Sequence, residues 1–114
     1  MILSRISENE KRVYVDVSGY ITKKDAKEFL NKYKDMGKNI KFSQYNLVVT
    51  PGAFQCEDNS DIRTTCMTFL KSGYKNIYLV DEQNTLMKTL SLKPMEKKLF
   101  LKSVKIVPDK TLIK

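Results

Sequence analysis

Asp58 and Asp61 flank Asn59 and Ser60, and Thr64 and Thr65 follow one helical turn later. Carboxylates at this spacing could hold a metal or share acid–base work. At the start of a helix their simpler role is to complement its positive end, and any of Asp58, Asn59, Ser60 or Asp61 can cap a free N–H there, worth about 1 kcal/mol. Asp81-Glu82 ends a predicted strand, the place where open α/β sheets bind ligands, but adjacent strand residues point apart and share no metal. Cys56 and Cys66 admit a disulfide by spacing, and Arg63 lies a turn from Cys66. A reactive cysteine needs a stronger cation or base than that, so reduced structural thiols are the reading. The sequence has no histidine, which removes imidazole acid–base chemistry and a four-ligand Cys/His zinc site. Neither GxxxxGK[ST] nor GxGxxG occurs, so nucleotide phosphates have no ready-made loop. No cofactor or metal is called for, and no enzyme activity is expected.

The formal charge is +8, from 21 Lys and Arg against 13 Asp and Glu. Its excess gathers near the C-terminus, where Lys88, Lys93, Lys97, Lys98, Lys102 and Lys105 fall. Such a segment can bind nucleic acid or an anionic surface by releasing counterions. Specific nucleic-acid surfaces favour arginine and stacking aromatics, however, and here only Phe100 stands among those lysines. A solvated surface is the first reading; anion binding through Lys93, Lys97, Lys98, Lys102 and Lys105 is the alternative, and nucleic acid is not the expected partner. The six tyrosines, Tyr14, Tyr20, Tyr33, Tyr45, Tyr74 and Tyr78, could line a pocket for a small apolar ligand. Covering sheet faces as core is their simpler use. With 41% hydrophobic and 30% charged residues the chain is expected to fold as one domain over residues 1–114. No apolar run approaches a membrane span, and no signal-peptide core lies near Met1, so a cytoplasmic location is expected.

The elements that must position these residues are read from periodicity. Val13, Val15 and Val17 alternate with Tyr14, Asp16 and Ser18, predicting a half-buried strand over 12–21, with a shorter strand over 2–6 before it. Thr22 with Asp25 predicts a helix start, Ala26, Phe29, Leu30 and Tyr33 its apolar face, and Gly37 its end. Tyr45–Thr50 reads as a buried strand stopped by Pro51-Gly52. Ile62, Cys66, Phe69 and Leu70 mark a second helix over 61–72, closed by Gly73, and 76–80 is another buried strand. Leu86, Met87 and Leu90 suggest a short third helix. Pro94 opens a further turn carrying Met95, Leu99 and Phe100, and 103–107 is a last strand ended by Pro108. The fold class is α/β: a mostly parallel sheet of four to five strands, with an N-terminal antiparallel edge strand and helices packed on the sheet.

Element order, the strand Leu47-Val48-Val49-Thr50 leading to Asp58-Asn59-Ser60-Asp61-Ile62, and the Gly19-Tyr20-Ile21-Thr22 junction resemble the STAS-domain family. That family is typified by bacterial anti-sigma factor antagonists, and this chain resembles a divergent branch of it. The family motif reads D-S-S-G, so Asp58 and Ser60 agree with it, while Asn59 and Asp61 depart from it. The resemblance implies a STAS-like sandwich and a non-catalytic regulatory module that binds a protein such as an anti-sigma factor or its kinase. It implies that Ser60 is the residue a kinase phosphorylates, with Thr64 and Thr65 as lesser acceptors. A phosphate is accommodated at a helix N-terminus and adds about −1.5 to −2 charges to a docking surface. Asp61 would repel the incoming phosphoryl group, which favours a cap as the role of Ser60. The partner surface expected from this resemblance comprises Phe54, Asp58, Asn59, Asp61 and Thr64, on a monomer or weak homodimer. The resemblance also implies, as the alternative function, a carrier of a small apolar ligand held between sheet and helices.

Overall fold

Backbone pattern and local capping account for most of the elements. The computed structural model describes residues 1–80 and 94–107, apart from the side chains of Asn59, Lys97 and Leu101. In chain order these form β1 (Ile2–Ser7), β2 (Arg12–Ile21), α1 (Lys23–Gly37), a 3-10 turn (Phe42–Gln44), β3 (Asn46–Cys56), α2 (Asn59–Lys71), β4 (Asn76–Val80), α3 (Pro94–Ser103) and β5 (Val104–Val107). The expected third helix around Leu86, Met87 and Leu90, the Asp81-Glu82 pair, Lys88, Lys93 and Pro108 lie outside the described residues.

The strands join in one sheet in the order β1-β2-β3-β4-β5, with β1 antiparallel to β2 and every other neighbour parallel. Stepping always in one direction with right-handed crossovers puts the connecting helices on one face. The core reflects this. Val13, Val15, Leu47, Val49, Ile77, Leu79 and Val104 from the strands pack with Phe29 and Tyr33 of α1, Ile62 and Phe69 of α2, and Phe100 of α3. On the opposite face Tyr14, Val48, Tyr78 and Val80 form a smaller cluster, with Val107 against it. The Arg5 guanidinium lies 4.1 Å from the Tyr14 ring centroid and Lys105 Nζ 5.6 Å from that of Tyr78, so cations cover both rings there.

α1 starts as expected. Thr22 Oγ1 accepts from the Asp25 N–H, and Asp25 Oδ2 accepts from the Thr22 N–H, each at 3.0 Å. Its last residue is Gly37 and Lys38 is the C-cap; the glycine is required by packing, because an added Cβ would sit 2.6 Å from the Phe42 ring. Gly73 closes α2 with φ +84°, a backbone state that favours glycine. Beside it, Tyr33 Oη lies 2.6 Å from Tyr74 Oη and 2.8 Å from Ser72 Oγ, tying α1 to the end of α2, and burial raises both phenol pKa values.

Two expectations are corrected. Pro51-Gly52 does not stop β3, which runs on to Cys56. β4 pairs only with Asn46–Val49, so Pro51 sits beyond it and its missing N–H breaks no ladder between those two strands. In α3, Phe100 is buried but Met95 and Leu99 are 85% and 45% exposed. Glu96, four residues before Phe100, forms an ion pair with Arg63 of α2 at 3.0 Å. The shared Glu96–Phe100 face turns toward α2, and Met95 and Leu99 turn away.

Candidate functional site

The site is built on a ribbon that outruns the rest of the sheet. Past Thr50, β3 continues against β2 alone among the described strands, with Val17 opposite Pro51, Gly19 opposite Phe54 and Ile21 opposite Cys56. From Val17 to Gly19 β2 advances two residues while β3 advances three, from Pro51 to Phe54. The extra residue is a β-bulge, and it reverses the alternation of β3. Odd-numbered Leu47 and Val49 face the helices before it; even-numbered Phe54 and Cys56 do so after it, both packed against the main core. The sequence signal for this was Pro51-Gly52, whose strand-stop and bulge meanings are shared. Tyr20, Ala53 and Gln55 are left on the outer side of the ribbon, and Tyr20 is 58% exposed. With Gly19 and Phe54 they line a shallow hollow of about 390 Å³.

Two residues beyond the ribbon, α2 begins. Asp58 is its N-cap, in extended conformation, and its Oδ1 accepts the Ser60 N–H at 2.9 Å. Cap and helix start are therefore earlier than expected: Ser60 is not the cap but the second residue of the helix, exposed at the surface. Hydrogen bonding from Ser60 holds the Asp58 carboxyl below its usual range, and Lys23, with Nζ 3.8 Å away, acts in the same direction. Thr64 Oγ1 donates to Ser60 O at 3.0 Å and Thr65 Oγ1 to Asp61 O at 2.8 Å, so both threonine hydroxyls are engaged with carbonyls of their own helix. Asn59 lies between cap and serine on the backbone.

Beneath this surface a cavity of about 50 Å³ separates α2 from the ribbon, bounded by Phe54, Cys56, Asp61, Ile62, Cys66 and Phe69 among others. Cys56 and Cys66 are free. Burial raises both thiols, that of Cys66 to about 12; Asp61 adds to the effect at Cys56. Arg63 is engaged with Glu96, so its charge does not activate Cys66. Among the described residues no group of three or more Cys, Asp or Glu could hold a metal.

The structure thus gathers Phe54, Asp58, Ser60, Asp61 and Thr64 around the start of α2. It separates the basic candidates. Lys98 and Lys102 are exposed on α3, on the helical side of the sheet, whereas Lys105 lies over Tyr78 on the other side. Of the tyrosines, Tyr14, Tyr33, Tyr45 and Tyr78 are buried and Tyr74 is half-buried, leaving Tyr20 as the exposed one. No described helix is long and apolar enough to cross a membrane.

No family model matches the sequence, and no curated protein matches it. Solved structures do match the fold. The unphosphorylated form of the anti-sigma factor antagonist SpoIIAA superposes with TM-score 0.58 at 8% identity, over 97% of this chain and 91% of that one. An uncharacterized protein of the DUF3478 family with a SpoIIAA-like fold, from Shewanella loihica PV-4, superposes with TM-score 0.58 at 11% identity, over 97% and 87%. At such identities the likeness is one of architecture: this chain has the STAS-like, SpoIIAA-like α/β fold.

Proposed function

We propose that residues 1–114 act as one cytoplasmic, non-catalytic STAS-type regulatory domain that binds a protein partner at the start of α2, and that phosphorylation of Ser60 switches this binding. The observation that carries the reading is Ser60 itself, an exposed hydroxyl on the second residue of a helix that follows a buried strand in a SpoIIAA-like fold. Its N–H is already taken by Asp58, so the hydroxyl is not needed as a cap. The partner of this reading is an anti-sigma factor or kinase-like protein, docking across Phe54, Asp58, Asn59, Asp61 and Thr64. A phosphate on Ser60 would stand near the Asp58 and Asp61 carboxylates, and desolvating all three under a partner is costly. The test is affinity capture from lysate of the native cell with wild type and Ser60→Glu, nuclease-treated, with partners identified by mass spectrometry. A discrete protein held by wild type and released by Ser60→Glu is the expected result. Equal recovery by both removes the switch.

A second reading is a small apolar-ligand carrier, seated in the mostly apolar cavity between ribbon and α2; at about 50 Å³ that cavity must open further to admit even a benzene-sized molecule. A thermal-shift screen of such molecules tests it, since any ligand that binds only the folded state raises the melting temperature.

A further inference from the structure

Two helix starts leave the sheet side by side. Ile21, the last residue of β2, pairs with Cys56, the last of β3, and the Glu57 N–H extends that pairing by donating to Ile21 O at 2.8 Å. Each strand then passes at once into a helix cap, Thr22 for α1 and Asp58 for α2. The capping box of Thr22 and Asp25 fixes the first turn of α1, and Lys23 is its first residue. Strand register and caps together bring Lys23 Nζ to 3.8 Å from Asp58 Oδ2, while Asp58 Oδ1 accepts the Ser60 N–H at 2.9 Å. Lys23 belongs to α1 but its charge serves the start of α2.

A phosphate at a helix start ordinarily bonds to backbone N–H groups. Beside Ser60 these are taken: its own N–H by Asp58 Oδ1, and that of Asp61 by Asp58 O at 3.0 Å. Glu57, Asp58 and Asp61 flank the serine in the chain, so a dianion placed there needs a cation. Arg63 lies one turn on, but its Nε donates to the half-buried Glu96 carboxylate at 3.0 Å, a charge-assisted bond that resists exchange. The Lys23–Asp58 pair is longer and Lys23 is exposed, so it contributes little and the ammonium is readily redirected. A phosphate dianion attracts that ammonium more strongly than a single carboxylate does.

We infer that Lys23 is the residue that receives a phosphate on Ser60: its ammonium turns from Asp58 to the phosphate and bridges the starts of α1 and α2. The inference rests on the reading of Ser60 as the switched residue, and names how this chain holds the added charge. The surface a partner meets then changes at two helix starts together, because the cation that neutralises the phosphate comes from α1.

The test uses the full chain with Ser60 incorporated as phosphoserine during translation, and follows the phosphate by phosphorus NMR as pH is varied. The second ionisation of a phosphoserine ordinarily falls near about pH 6. An adjacent ammonium favours the dianion, so Lys23→Gln should raise that midpoint by about half a unit. Lys23→Arg keeps the charge and should leave the midpoint where wild type has it. Lys24→Gln removes an equal charge from the next, exposed residue and should move it far less. No change with Lys23→Gln, an equal change with Lys24→Gln, or a change with Arg63→Gln in its place overturns the proposal. Capture from lysate by the phosphorylated and unphosphorylated wild-type chains is run alongside. Equal capture by both, with the Lys23→Gln shift present, counts against the switch and supports Lys23 as the holder of the phosphate. Capture lost on phosphorylation, with no shift in Lys23→Gln, supports the switch and overturns the role of Lys23.

Discussion

Asp58 accepts the Ser60 N–H at 2.9 Å, and this bond sets both its role and its titration. The folded carboxyl lies below its ordinary value of 3.8 because the bond favours the charged form. Its contribution to stability is therefore complete at pH above that ordinary value and is lost as pH falls through the lower, folded one. Asp58→Asn should melt below wild type at neutral pH, and the gap should close in acid; a gap of equal size at both ends would show that the charge is not what caps the helix. Cys66 runs the other way. Its thiol is raised from 9.0 to about 12 by burial, so the stability linked to the neutral thiol is intact below pH 9 and is lost as pH rises toward 12. At neutral pH the half-buried Cys66 thiol stays protonated, so iodoacetamide should label it in the folded protein far more slowly than in urea, read by mass spectrometry. Equal labelling rates in the folded and unfolded protein would contradict the raised thiol. Which oxygen caps α2 was not legible in the sequence, because Asp58, Asn59, Ser60 and Asp61 are all good caps. The choice is made by where β3 ends, and that depends on the bulge.

Elements with a strict period were legible. The alternation of Val13, Val15 and Val17 marks β2, and Thr22 with Asp25 marks the start of α1, both as found. β3 was half legible: its buried part follows from the apolar run Leu47-Val48-Val49, but its continuation past Pro51-Gly52 requires a neighbour to pair with, and that neighbour is the equally long β2. The face of α3 was misread because periodicity counts apolar side chains, whereas a salt link between Arg63 and Glu96 and the buried Phe100 set its rotation. The bulge has a direct test. Deleting Ala53 removes the extra residue and leaves a regular ladder in which Phe54 and Cys56 still face the helices. The deletion should therefore cost less in urea unfolding than Phe54→Ala, which loses on the order of 3 kcal/mol. A deletion as destabilising as Phe54→Ala would mean that β3 carries no bulge and that the shift had turned Phe54 and Cys56 outward.

The order β1-β2-β3-β4-β5 assigns the two faces of the molecule different work. Every described helix packs on one face, and the other is closed at Tyr14 and Tyr78 by cations rather than by a helix. This distribution also bears on the +8 charge. Counterion release depends on how many cations reach one strand of phosphates at once. Lys98 and Lys102 lie on the helical side, Lys105 lies on the opposite side, and the arginines Arg5, Arg12 and Arg63 are engaged with Tyr14, Glu10 and Glu96 respectively. The ribbon between the faces has no charge at all. A labelled single-stranded oligonucleotide should therefore bind weakly even at low salt, with an affinity that falls only shallowly toward physiological salt and is barely changed by Lys105→Ala. Fluorescence anisotropy at the two salt concentrations measures this. Tight binding that persists at physiological salt and is lost with Lys105→Ala would place nucleic acid on the open face, and would make nucleic acid rather than a protein the partner.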